Sequence, residues 1–136
     1  MNDLVQFLRD QLDEEQRVAE AAPRGPWAVT DAGSIVDADG GRVVSSVGGA
    51  LDGRVSRWPE GPVVAHVLAH DPARVLREID AKRKLLDEFE QADRYSRTTW
   101  GQSNADQSRA RTLGKVLRLL ALPYADRPGY REEWRP

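Results

Sequence analysis

The sequence predicts an α+β fold. A small antiparallel β-meander over about residues 27–47 packs against three main α-helices, at about 3–22, 72–90 and 106–122, with a short helix at about 62–69. Three observations carry this reading. Apolar residues recur at three-and-four spacing in the three long segments, as they do on the buried face of a helix. Between the first two helices, short runs alternate with period two around Asp-Ala-Gly and Asp-Gly turn signals. Proline and glycine then punctuate the chain at Pro23, Gly25, Pro72 and Pro123, where helices are expected to stop or start.

The first helix carries Leu4, Val5, Leu8, Leu12 and Ala19 near one face, with Phe7 and Val18 at its margins. Asp13, Glu14, Glu15 and Arg17 belong to a solvated side, and Asn2 or Asp3 caps the start. Trp27 to Thr30, Ser34 to Asp37 and Arg42 to Val47 read as three strands. Asp39-Gly40 reads as a type I′ turn between the second and third. Residues 48–62, rich in glycine and proline, read as a loop, and mobile loops are expected near 48–61 and 91–105. Residues 62–69 carry Val63, Val64, Val67 and Leu68 and are read as a short buried helix rather than a strand.

The strongest local signal is at residues 70–90. Asp71 is expected to be an N-cap, with its carboxylate accepting from a free backbone N–H, and Pro72 to be the first helical residue. The buried stripe is then Val75, Leu76, Ile79, Leu86 and Phe89, with Leu85 beside it. Arg74 with Glu78 and Lys84 with Glu88 are spaced to pair along the helix. In the last helix Leu113, Val116, Leu117 and Leu120 are expected to be buried, widened by Leu119 and Leu122. The tail from Tyr124 holds three large aromatics, Tyr124, Tyr130 and Trp134, and is expected to fold back on the body.

A chain of 136 residues fits one domain. Charged residues make up 31%, but the signs are mixed, so wholesale disorder is not implied, and the net charge of −2 argues against a protein dominated by phosphate binding. Residues 1–90 carry 11 basic and 17 acidic side chains, and residues 91–136 carry 9 and 5. The simplest account of that imbalance is mutual neutralisation on packing. Cysteine is absent, so disulfides, thiolate metal sites and thiol chemistry are excluded. No apolar run approaches a membrane span. The acidic, amphipathic MNDLVQFLRDQLDEEQ does not resemble a signal peptide, and the expected address is the cytoplasm.

Two blocks, AHDPARVLREIDAKRKLLDE at 69–88 and LRLLALPYADRPGYREEWRP at 117–136, stand out, together with the opening DLVQFLRDQLDEE and GPW at 25–27. In these the chain resembles a small-protein family of actinobacteria and their phages that is classed as a domain of unknown function. The resemblance covers most of the chain apart from the 48–62 and 91–112 segments. It implies a cytoplasmic accessory protein of actinobacteria, often on phages or mobile elements, and it offers no established activity to carry over. Many members of that family carry cysteines between the two blocks, and this sequence has none there.

Chemistry is sparsely signalled. His66 and His70 share a helical spacing used by zinc ligands, and Asp71 adds an oxygen, but spacing marks no further ligand and no HExxH pattern is present. No metal or other cofactor is expected. Serine nucleophiles lack a GxSxG frame, and no catalytic residue is assigned. The reading that remains is a non-enzymatic protein–protein interaction module or regulatory accessory protein. Trp58, Trp100, Tyr130 and Trp134 are its candidate contacts, and a protein partner or a second copy is the expected ligand. One alternative is a nucleic-acid-binding accessory protein using Arg109, Arg111, Lys115 and Arg118, with Arg94 and Arg97 before them. The sequence pI of 5.7 weighs against it. The other alternative is a small-ligand-binding protein.

Overall fold

A computed structural model describes residues 1–44 and 61–136. Among them the elements are α1 (Asn2–Ala21), β1 (Ala28–Val29), β2 (Ile35–Val36), β3 (Arg42–Val44), α2 (Gly61–Ala69), α3 (Pro72–Ser96) and α4 (Asn104–Ala121). Two 3₁₀ turns follow, at Leu122–Tyr124 and Glu132–Trp134. The fold is α+β, as the periodicities predict. The chain groups into two compact units: residues 1–15 with 79–136, and residues 16–78. The division falls within α1 and within α3.

In the unit of residues 16–78 the strands form an antiparallel sheet in the order β1-β2-β3, paired Val29 to Ile35 and Ile35 to Val44. The sheet is shorter than the predicted runs, and the end of the predicted third strand lies outside the described residues. The second hairpin is not a type I′ turn, which would need positive φ at both Asp39 and Gly40. Among the described residues only glycines have positive φ, Gly40 at +80°. Asp37 N–H donates to Gly41 O at 2.8 Å and Gly40 N–H to Asp37 O at 3.2 Å, which closes a three-residue loop with left-handed Gly40 at its end. The Asp37 carboxylate stabilises it by accepting from Asp39 N–H and Gly41 N–H, at 2.9 and 2.8 Å. The first hairpin closes the same way at Gly33.

Asp71 ties this unit together. Its Oδ1 accepts from Arg74 N–H at 2.9 Å, the expected cap, and its Oδ2 accepts from Trp27 N–H at 2.8 Å. The carboxylate is buried, and both oxygens replace water with backbone donors. The GPW segment sits close to the same helix start. A Cβ on Gly25 would lie 2.8 Å from Ala73 Cβ and 2.9 Å from Ala73 N, so only glycine allows that approach. Residues 61–69 are helical, but none is buried, and the four apolar residues are half-exposed.

The unit of residues 1–15 and 79–136 holds most of the large buried residues described. Leu4, Phe7, Leu8 and Leu12 of α1 join Ile79, Leu86 and Phe89 of α3 and Leu117 of α4. The helix expected to end at 90 continues to Ser96. Its buried stripe runs on through Ala92 and Ser96, small residues that give no apolar signal. Arg74 pairs with Glu78 as spaced, but Lys84 pairs with Asp80 and leaves Glu88 to Arg109. On α4 the buried row is Ala110, Gly114, Leu117 and Ala121. The predicted Leu113, Val116 and Leu120 are only partly covered, and Leu119 is exposed. A row of small residues lets the helix backbone approach its neighbours, and this turns the larger leucines outward.

The tail folds back as predicted. Phe7 contacts Tyr124, Tyr130 and Trp134 with ring centroids 6.5, 6.0 and 5.1 Å away, and Tyr124 and Trp134 are buried. Lys82 Nζ donates to the Tyr124 hydroxyl at 3.2 Å, which donates to Glu15 Oε2 at 3.0 Å. The lysine stem is partly covered while its ammonium reaches Glu15 Oε2 at 4.0 Å.

Candidate interaction surface

The α3–α4 connection is short and closely bonded. Thr98 N–H and Thr98 Oγ1 both donate to Tyr95 O, at 2.9 and 2.7 Å, and Gly101 N–H donates to Thr98 O at 3.2 Å. Gly101 is buried against the end of α3, where a Cβ would lie 2.0 Å from Tyr95 O. No side chain fits there. Ser103 caps α4: its Oγ accepts from Asp106 N–H at 3.2 Å, and its hydroxyl donates to the Asp106 carboxylate. Gln107 Nε2 donates to Ser96 O at 2.9 Å and joins the two helix ends. Within this bonded loop Trp100 is 86% exposed.

Along α4, Arg111, Lys115 and Arg118 stand at i, i+4 and i+7, which places them on one face. They line a groove of about 420 Å³. Its apolar floor is Met1, Phe89, Ala110 and Gly114, and Ser96, Gln107 and Asp93 complete the lining. The Asp93 carboxylate is engaged by Arg97 at 2.9 Å. The three cations have no carboxylate partner among the described residues, although Arg111 Nε donates to Gln107 O at 3.3 Å. Most other cations of this unit are paired, among them Arg9 with Asp87 and Glu90, Lys82 with Glu15, Arg83 with Asp13, Arg131 with Asp3 and Arg135 with Glu132. Asp87 first, then Glu90, holds the Arg9 guanidinium more firmly protonated than usual, against the opposing cost of its burial.

Arg109 is not part of the groove. It reaches Glu88 at 2.8 Å and stands two residues from Arg111, about 200° around the helix. The basic set drawn from the sequence is thus divided, with three members together and one elsewhere. Arg94 and Arg97 line a separate recess with Asn2 and Val5. Counting rotation as well as charge separates Arg109 from the rest. Ser96, Gln107 and the floor residues carry no such sequence signal, because helix packing alone brings them to the groove.

The other candidate residues are placed as follows. The His66 and His70 rings lie 4.4 Å apart, and His70 Nδ1 is 2.9 Å from the His66 carbonyl oxygen, which it meets as a donor. Asp71 has both oxygens engaged by backbone N–H groups. Among the described residues no group of three or more His, Cys, Asp or Glu side chains is arranged to hold a metal ion. Trp134 is buried, and Tyr130 lies within the same ring cluster, so neither is presented as Trp100 is. Trp58 lies outside the described residues. No helix among those described is long and apolar enough to cross a membrane.

These features define an α+β protein with an exposed tryptophan and a groove whose three cations have no carboxylate partner among the described residues. The chain belongs to a family of unknown function, DUF6221, whose model matches residues 1–136. No curated protein and no solved structure matches it.

Proposed function

We propose that this chain is a non-enzymatic protein–protein interaction module, an accessory protein that works by holding a partner. The observation that carries the reading is Trp100. Tryptophan is the side chain most enriched among residues that dominate interface energies. Here one is held almost wholly in water by a loop whose hydrogen bonds and buried glycine fix its course. Packing of the chain itself gains little from that arrangement, whereas an anchor held in place loses less conformational entropy on binding.

The test is site-specific photocrosslinking in the host, with a photoreactive amino acid at position 100 and, in a second strain, at position 115. The expected result is the same polypeptide at both positions, insensitive to nuclease. Crosslinks spread over many proteins would contradict the reading. Nuclease-sensitive products would favour the nucleic-acid alternative, which the three groove cations also support. Three phosphate contacts would then give a log–log salt slope of roughly −2 to −3.

A further inference from the structure

We propose that the α4 groove takes a short acidic segment of the partner in which an apolar side chain stands beside two or more carboxylates. This deepens the interaction reading above and rests on it, but a different observation carries it. Arg111, Lys115 and Arg118 lack carboxylate partners among the described residues, in a unit whose other cations are extensively paired. The three span about 10 Å along the helix axis, at a rise of 1.5 Å per residue. Carboxylates on alternate residues of an extended chain stand roughly 7 Å apart, and those four apart on a helix about 6 Å. Either spacing meets the step from Arg111 to Lys115.

The floor decides the class of partner. Met1, Phe89, Ala110 and Gly114 form an apolar strip under the cations, and Met1 Cε would lie 3.3 Å from a Cβ on Gly114. Methionine is unbranched and adapts its shape to what lies on it. A phosphate backbone would satisfy the cations and leave that strip without a partner. Non-specific duplex binders commonly neutralise six or more phosphates, and this groove offers three cations. Among the described residues the aromatic ring lining it is that of Phe89, which is buried and offers no face for a base to stack on; Trp100 is not among the lining residues. An acidic segment with one leucine or phenylalanine covers both parts.

The experiment uses the full chain and fluorescein-labelled twelve-residue peptides read by anisotropy. One peptide alternates glutamates with leucines, a second replaces the leucines by serine, and a twelve-nucleotide oligothymidylate is the third probe. The glutamate–leucine peptide is expected to bind. The serine peptide should bind at least tenfold more weakly, as should the first peptide to the triple variant Arg111→Gln, Lys115→Gln, Arg118→Gln. Arg109→Gln, on the other side of α4, should change affinity less than twofold. Equal binding of the serine peptide, tighter binding of the oligonucleotide or an equal loss in Arg109→Gln would overturn the proposal. If no peptide binds while crosslinking from position 100 still captures one protein, the groove assignment falls and the interaction reading stands.

Discussion

In the C-terminal tail, Arg131 reaches Asp3 at 2.8 Å and lies 5.5 Å over the Trp134 ring, while Trp134 itself is buried against Phe7. At the α3–α4 end of the same unit, Trp100 stands in water, and Arg111, Lys115 and Arg118 find no carboxylate among the described residues. The residue types are the same. In the tail they meet each other and close the fold. Around α4 the tryptophan stays exposed, and the cations have no carboxylate partner among the described residues. Tryptophan and arginine are favoured at binding surfaces, but their presence in a sequence does not say whether the chain has already used them itself.

The largest effect expected from this contrast is at the tail. Trp134→Ala should cost about 3–5 kcal/mol of unfolding free energy, the usual range for truncating a buried aromatic. Urea unfolding followed by circular dichroism measures it. A loss below 1 kcal/mol would show that the tail is not part of the core and would remove one side of the comparison.

Asp71 is the polar counterpart in the other unit. Asp71→Ala removes a helix cap, worth about 0.5–2 kcal/mol, and also leaves Trp27 N–H without its acceptor. The loss in the same unfolding experiment should therefore sit at the upper end of that range or beyond it. Asp71→Asn keeps one acceptor oxygen and should lose less.

A smaller effect separates the tail's surface pairs from its buried rings. The hydrogen bond from Arg135, with its charge, lowers the carboxyl pKa of Glu132 below the ordinary glutamate value. A depressed folded-state pKa stabilises the fold above the unfolded pKa, and that contribution disappears as pH falls through the folded value. Both side chains are exposed, so the consequence for stability is slight. Carboxyl carbon shifts in an NMR titration should place the Glu132 midpoint below that of ordinary glutamates, and Arg135→Gln should raise it. An unchanged midpoint in Arg135→Gln would remove this pair from the account.

Much of the fold was legible in the chain. Asp71-Pro72 marks the start of α3, and the aromatic content of the tail signals its burial, because both depend on local chemistry that a sequence displays. The buried row of α4 was not legible. Its members are Ala110, Gly114 and Ala121 beside Leu117, and small residues become core only when a neighbour closes on them. The extension of α3 to Ser96 was hidden for the same reason. At the candidate site, the cations were visible and their helical spacing could be read, but their lack of partners could not. Pairing depends on which carboxylates the fold brings near, as Arg109 and Glu88 show across the α3–α4 connection.

The central claim is that the three groove cations are spare in the isolated chain. Thermal unfolding of the Arg111→Gln, Lys115→Gln, Arg118→Gln variant tests it most directly. Surface changes that break no special contact usually stay within about 0.5 kcal/mol. For a chain of this size that amounts to roughly 2 °C in Tm. Relief of like-charge repulsion at i,i+4 should raise stability slightly, and loss of Arg118 from the last turn of α4 should lower it slightly. The account therefore expects a Tm within about 2 °C of the parent chain. A fall of several degrees would mean that the fold already uses these cations, and the contrast between groove and tail would be lost.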